Sequence, residues 1–174
     1  MKQALVVFIM LFLTIGTARA EDLQVQMHLT APDGLGDAIG TITISETDYG
    51  LAFTPQLEHL SPGLHGFHVH QNPSCLPAAK EGKMVPGLAA GGHFDPQDAG
   101  FHDTPYGKGH LGDLPALFVD ENGKADSPVL APRLKKLEQV KGRALMIHAG
   151  GDNYSDMLAK LGGGGARMAC GVIE

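Results

Sequence analysis

The hexapeptide His65-Gly66-Phe67-His68-Val69-His70 places three of the chain's nine histidines within six residues. In an extended strand alternate side chains share a face, so His68 and His70 project together while Phe67 and Val69 point the other way. Two neighbouring imidazoles on one face form a metal-chelating pattern, and the opposite face is left for a core. A helix would set the two rings about 200° apart at ~3.6 residues per turn, so a helical chelate by this pair is excluded. Taken alone, the stretch is equally what a chance cluster on a surface hairpin would look like. The remaining ligand types lie further on.

Between His70 and Pro115 the alternating pattern stops for more than forty residues, a stretch that holds Gly91-Gly92-His93, His102 and His110-Leu111-Gly112-Asp113. A structureless loop of that length inside a compact domain needs something to hold it, and metal coordination by these side chains is the natural staple. His148 closes the apolar run Ala144-Leu145-Met146-Ile147.

The elements that must position these residues read as short strands. Leu23, Val25, Met27 and Leu29 alternate with polar residues, and Asp33-Gly34 makes a turn. Thr41-Ile42-Thr43-Ile44 alternates again up to the turn at Asp48-Tyr49-Gly50. Leu51 and Phe53 begin a strand that Pro55 is expected to break, and Ser61-Pro62-Gly63 turns the chain into the histidine strand. Ala116–Val119 is expected to form a hairpin with Val129–Ala131 across Glu121-Asn122-Gly123-Lys124. Leu134, Leu137 and Val140 suit one short helical turn; Ala144–His148 and Arg167–Ile173 are strands. Many short strands with no long helical period predict an all-β, antiparallel sandwich or barrel. Gly162-Gly163-Gly164-Gly165 lacks the Lys-Ser/Thr of a phosphate loop and reads as a bend with close backbone packing.

Residues 1–20 carry Lys2, an apolar run from Ala4 to Ile15, and Ala18-Arg19-Ala20. They read as a secretory signal peptide cleaved after Ala20, too short to span a membrane. Residues 21–174 then form one exported domain with no linker, placed in the periplasm and without stable membrane association. Removing Lys2 and Arg19 leaves 11 basic against 19 acidic residues, which argues against nucleic acid as a partner. An acidic protein handling an anion would need a local positive focus. In an oxidising compartment the two cysteines, Cys75 and Cys170, read as one disulfide.

Five segments in order resemble the copper,zinc superoxide dismutases, specifically their exported bacterial branch, over essentially all of 21–174. They are His65–His70, Gly91-Gly92-His93-Phe94-Asp95-Pro96, Gly109-His110-Leu111-Gly112-Asp113-Leu114-Pro115, Ile147–Asp156, and Gly162–Ile173. The resemblance implies an antiparallel Greek-key β-sandwich or flattened barrel with long metal-binding loops. It implies copper on His68, His70, His93 and His148, and a structural zinc on His93, His102, His110 and Asp113. His93 would bridge both metals as an imidazolate and carry a proton during turnover; Arg167 would guide superoxide anion. Asp152 would accept hydrogen bonds from one histidine of each metal, or else cap the Gly150-Gly151 bend. The Cys75–Cys170 bridge would bring Arg167 near the histidine strand. Lys80 and Lys83 are either a positive focus for the substrate or ordinary solvated lysines. His65 reads as a core histidine, and His28 and His59 as surface residues without a role.

Two other readings compete. A zinc hydrolase or hydratase built on His68, His70 and His148 leaves the second cluster and Arg167 without roles. A metal buffer or copper-delivery domain of the same fold would be expected to lack a copper ligand or the arginine, and both are present. The sequence is compatible with a monomer or a homodimer.

Overall fold

The alternation along β1 (Leu23–Ala31) buries Val25 and Met27 completely and leaves Gln24 and Gln26 exposed, as a strand with one face on a core requires. The computed structural model describes residues 21–174, so the expected signal segment 1–20 lies outside the described residues. The strands that follow are β2 (Gly34–Thr47), β3 (Gly50–Leu57), β4 (Gly63–His65), β5 (Phe67–His70), β6 (Ala78–Lys80) and β7 (Lys83–Val85). They continue with β8 (Leu117–Val119), β9 (Val129–Ala131), β10 (Arg143–His148) and β11 (Arg167–Ile173).

Seven of them form one curled antiparallel sheet in the order β5-β10-β11-β1-β2-β3-β9. Within it the last strand, β11, returns beside the first, giving the order β11-β1-β2-β3. The curl is closed by β4, which runs into β5 at one end of the sheet and pairs with β8. Beyond β8, Ala125 bonds Leu57 of β3 near the other end, with both N···O distances 3.0 Å. The enclosed core takes Val25, Met27, Ile42, Ile44, Phe53, Phe67, Val69, Leu117, Leu145 and Ile147, with Leu137 packed into it from the short 3-10 turn Leu137–Gln139 and Leu134 and Val140 from the residues flanking that turn.

Three local expectations fail. Pro55 does not end β3, where it pairs with Ile42. The N–H groups of Leu51 and Leu57 point away from β2, to Leu134 and Ala125, so by the two-residue period Pro55's missing N–H faces the same side. There it falls in the gap between the Phe53–Val129 and Leu57–Ala125 pairs, where no ladder bond is lost. The expected hairpin of Ala116–Val119 with Val129–Ala131 also does not form, since β8 pairs with β4 and β9 with β3. The turn closes on itself instead, Asp120 Oδ1 accepting from the N–H groups of Asn122 (2.9 Å) and Lys124 (2.8 Å). Finally, the long loop contains a hairpin, β6-β7, whose two-residue turn has Glu81 at φ 51° and Gly82 at φ 75°. Both residues are left-handed, the turn geometry that matches strand twist.

β10 is buried on both faces. Leu145 and Ile147 face the barrel core, while Ala144 and Met146 join Cys75, Ala90 and Cys170 in a small second core outside it. The long loop therefore lies against the outer face of the sheet, and the side chains caught between them are those of the histidine strand.

Candidate metal centre

Antiparallel pairing fixes which side chains share that outer face. His68 lies opposite Met146, and His70 opposite Ala144, so both rings leave the barrel, whereas Phe67 and Val69 enter it. Phe67 meets Phe53 edge-on at 5.8 Å between ring centroids. The segment is not one strand, however: Gly66 separates β4 from β5, donating to Gly150 O and accepting from His148 N–H, both 2.8 Å. His65 stays on the inner side with its ring nitrogens each 2.8 Å from a carbonyl oxygen, of His148 and of Ser61. Both nitrogens face backbone carbonyls, so neither is turned toward the other histidines.

The free edge of β5 is taken by the loop. Phe94 N–H donates to Val69 O (2.8 Å), Val69 N–H to Gly112 O (2.9 Å) and Gly112 N–H to Phe94 O (2.8 Å), a closed ring of backbone bonds. It sets His93 against His70, and Asp113 against His68. A Cβ at Gly112 would lie 2.3 Å from Val69 O, so this crossing needs glycine. At the end of β10 a bulge shifts the register from Ile147–Ala169 to His148–Arg167. Bulges re-aim side chains, and this one puts Arg167 directly opposite His148.

Two clusters result. The ligand-type atoms of His68, His70, His93 and His148 lie within 4.8 Å of one another, and so do those of His93, His102, His110 and Asp113, with His93 in both. The hydrogen bonds say which nitrogen each ring holds back. His68 Nε2 is 2.8 Å from Asp152 Oδ2, His70 Nδ1 is 2.9 Å from Gly91 O, and His148 Nδ1 is 3.3 Å from Gly165 O. The opposite nitrogens converge, with His70 Nε2 and His148 Nε2 3.4 Å apart. In the second cluster three Nδ1 atoms surround Asp113 Oδ1, at 2.8 Å from His93, 3.0 Å from His102 and 3.4 Å from His110.

Asp152 joins the clusters, its Oδ2 on His68 and its Oδ1 2.8 Å from His102 Nε2. It also takes the N–H of Tyr154 at 2.7 Å, so the carboxylate shapes its own turn as well. Gly162, at φ 69°, lies over it; a Cβ there would come 2.0 Å from Asp152 Oδ1. The glycine run is thus the backbone that seals Asp152 and His102 from above.

The donor set fits metals by an observation of this structure. His68 Nδ1 and His93 Nε2 are buried and make no hydrogen bond among the described residues, while His102 Nδ1 and His110 Nδ1 are buried beside Asp113 Oδ1, an oxygen that His93 Nδ1 already engages. Each unpartnered atom costs about 1–3 kcal/mol if nothing takes its lone pair, and in the second cluster three ring nitrogens compete for one carboxylate oxygen. Four imidazole nitrogens suit Cu(II), and three imidazoles with a carboxylate make a tetrahedral zinc set.

The two clusters differ electrostatically. Burial first, then the neighbouring His93, pushes His68 down to about 3 and His148 down to about 4; the same two causes hold His70 well below its ordinary value. His102 goes the other way, to about 9: burial opposes its charged form, but the carboxylates of Asp113 and Asp152 on its two sides outweigh it. Burial would raise Asp113 and Asp152, yet bonds from the histidines hold both below the usual carboxylate range.

Arg167 is half-buried, its Nη2 donating to Gly91 O at 2.9 Å, the carbonyl that His70 Nδ1 also meets. The Cys75–Cys170 disulfide is present, with Cα atoms 5.6 Å apart. Arg167 is aimed chiefly by the bulge opposite His148 and by Gly91, more directly than by the disulfide. Lys80 and Lys83 face each other across the tip of the exposed β6-β7 hairpin. His59 is exposed and His28 partly so. Sequence reasoning passed over Asp156, whose carboxylate accepts the N–H groups of His102 and Leu161, both 2.8 Å. Its spacing of four from Asp152 was the available signal, whereas the shared Gly91 carbonyl leaves none.

The family profile described as Copper/zinc superoxide dismutase (SODC) matches residues 38–173. The chain belongs to the copper,zinc superoxide dismutase family. Superoxide dismutase [Cu-Zn] 1 of Salmonella typhimurium strain 4/74 is 60% identical over 160 residues, covering 91% of this chain and 90% of that protein. Superoxide dismutase [Cu-Zn] of Escherichia coli strain K12 is 55% identical over 157 residues, covering 90% and 91%. Among solved structures, Cu/Zn superoxide dismutase from Brucella abortus superposes with TM-score 0.87 at 56% identity over 88% of this chain and all of that one. The solution structure of the monomeric enzyme from Salmonella enterica gives TM-score 0.80 at 57% identity, covering 88% of this chain and 100% of that chain.

Proposed function

We propose that residues 21–174 act as an exported superoxide dismutase that converts two superoxide anions and two protons to oxygen and hydrogen peroxide in the periplasm. The observation that carries this reading is the shared histidine: two buried ligand sets meet at His93, whose Nε2 faces one and whose Nδ1 faces the other. We assign copper to His68, His70, His93 and His148, and zinc to His93, His102, His110 and Asp113. When bound, copper supplies one-electron redox chemistry, and zinc, which has none, supplies fixed charge and structure.

The chain's own residues then divide the work. With both metals held, His93 would carry no ring proton, and its Nε2 would then be a proton acceptor already inside the site. Asp152 and the carbonyls of Gly91 and Gly165 hold the other rings in the tautomer that presents the required lone pair. Arg167 keeps one N–H on Gly91 O, which leaves the rest of its charged fork for an anion beside His148. In an acidic protein this local positive charge is what draws superoxide in. Lys80 and Lys83 would extend that field at longer range.

All of these residues come from one chain, an arrangement that suits a monomer or a homodimer. Among the described residues no helix is long and apolar enough to cross a membrane. An N-terminal signal segment, 1–20, would deliver the domain to the compartment where Cys75 and Cys170 oxidise. The reading is tested by metal analysis and assay of the purified protein. One copper and one zinc per chain are expected, with superoxide removal abolished in His148→Ala. Full activity without copper would sink it.

A further inference from the structure

Arg133 has no part in the chemistry above, yet each of its three guanidinium nitrogens donates to the loop that carries His102 and His110. Its Nε donates to Pro105 O at 3.1 Å, its Nη1 to Gly109 O at 2.9 Å, and its Nη2 to His110 O. The stem is anchored in the barrel: Arg133 follows β9, and the next residue, Leu134, is fully buried with its carbonyl taking Leu51 N–H at 2.8 Å.

The loop needs such an anchor. Its internal bonds are local, Asp103 capping the N–H groups of Thr104 and Lys108 at 2.7 and 2.9 Å, and His110 N–H reaching Phe101 O at 3.1 Å. Among the described residues, the hydrogen bonds that tie residues 104–110 to the chain beyond this loop are those of Arg133. Three carbonyls turned toward one point are a match for a planar fork of N–H donors, and a single ammonium cannot reproduce that match.

We propose that Arg133 is a positioning residue for the zinc-side ligands, a clamp that presets the 104–110 backbone so that His110 meets His102 and Asp113. The proposal rests on the zinc assignment made above. It predicts a selective effect: His68, His70 and His148 are held by the sheet and do not depend on this clamp.

The test uses the full mature chain stripped of metal. Zinc affinity is measured by competition with a chelator, Co²⁺ serves as a spectroscopic probe of the same ligands, and Cu²⁺ binding is measured separately. Arg133→Gln is expected to weaken zinc about 10–100-fold, the range for groups that orient ligands, and to shift the visible Co²⁺ bands. Cu²⁺ binding should be unchanged. Arg133→Lys, which keeps the charge without the fork, should not restore zinc affinity, and Lys124→Gln, which removes a charge from an exposed ion pair with Glu58, should match the parent. Unaltered zinc affinity and Co²⁺ bands in Arg133→Gln would overturn the clamp. So would full rescue by lysine, or equal loss of copper together with the near-ultraviolet dichroism of the folded core. A parent protein that takes no zinc on these ligands would overturn the metal assignment instead.

Discussion

The two halves of the proposed metal centre share His93 but are built differently. His68, His70 and His148 stand on β5 and β10, neighbouring strands of the main sheet whose inner faces lie in the core. His102, His110 and Asp113 stand on loop backbone, held by Asp156, Arg133 and the crossing of Gly112 with Val69. The sheet-built half has neutral rings preset by burial; the loop-built half has a carboxylate at its centre and a raised histidine beside it. The sheet therefore places the backbones of three donors in one half and leaves the loops to supply His93 and the groups that orient the rings, whereas the other half is placed by polar tethers throughout, and its residues carry the charge that a cation is to meet.

The largest expected effect comes from the residue that belongs to both halves. His93→Ala should weaken both metals by more than the roughly 100-fold attached to outer partners of a ligand, since it removes a donor from each set. His102→Ala should weaken zinc alone. Equilibrium dialysis against each metal separately distinguishes them; copper retained at parental affinity in His93→Ala would break the picture of a shared ring.

A smaller and more lopsided effect is expected from Asp152→Asn. Oδ1 of Asp152 takes two N–H groups, from His102 and Tyr154, whereas Oδ2 takes one, from His68. The amide oxygen should keep the doubly bonded position and turn its NH2 toward His68 Nε2. Two donors would then face each other, and relief by moving the proton to His68 Nδ1 would block that ring's lone pair. Copper affinity is expected to fall about 10–100-fold and zinc affinity by less. Equal losses on both sides, read in the same dialysis experiment, would show that the amide does not choose.

How legible these halves were in the sequence follows from what holds them. His68 and His70 could be placed because a period of two is local information, and the same period put Phe67 and Val69 in the core. His93, His102, His110 and Asp113 were found as ligand types and by resemblance, since nothing local says that Phe94 will bond Val69 or that a bulge will bring Arg167 opposite His148. The failures have the same origin. Pro55 looked like a strand end because the gap in the neighbouring ladder is a tertiary fact, and Asn122-Gly123 looked like a hairpin turn because β8's true partner, β4, is far away in sequence. The β6-β7 hairpin was missed because strands of three residues are too short to show alternation and its turn puts Glu81 in a left-handed conformation.

The difference in charge between the halves can be read as protons. In the metal-free protein His102, raised to about 9, holds a proton at pH 7 that His68, at about 3, and His148, at about 4, do not. That proton stabilises the metal-free fold fully below the ordinary histidine range, and the contribution is lost as pH rises through about 9. Zinc must displace it to reach the ring nitrogen, so zinc alone should release about one proton at pH 7, falling toward none above pH 9. Copper alone meets neutral rings and should release none. Whichever metal arrives second must also remove the last proton of His93, so copper added after zinc should release about one, and zinc added after copper about two. The totals agree, as they must for a path-independent quantity. Calorimetry in two buffers of different ionisation enthalpy counts these protons; release on adding copper alone, equal to that for zinc, would erase the electrostatic distinction between the two halves.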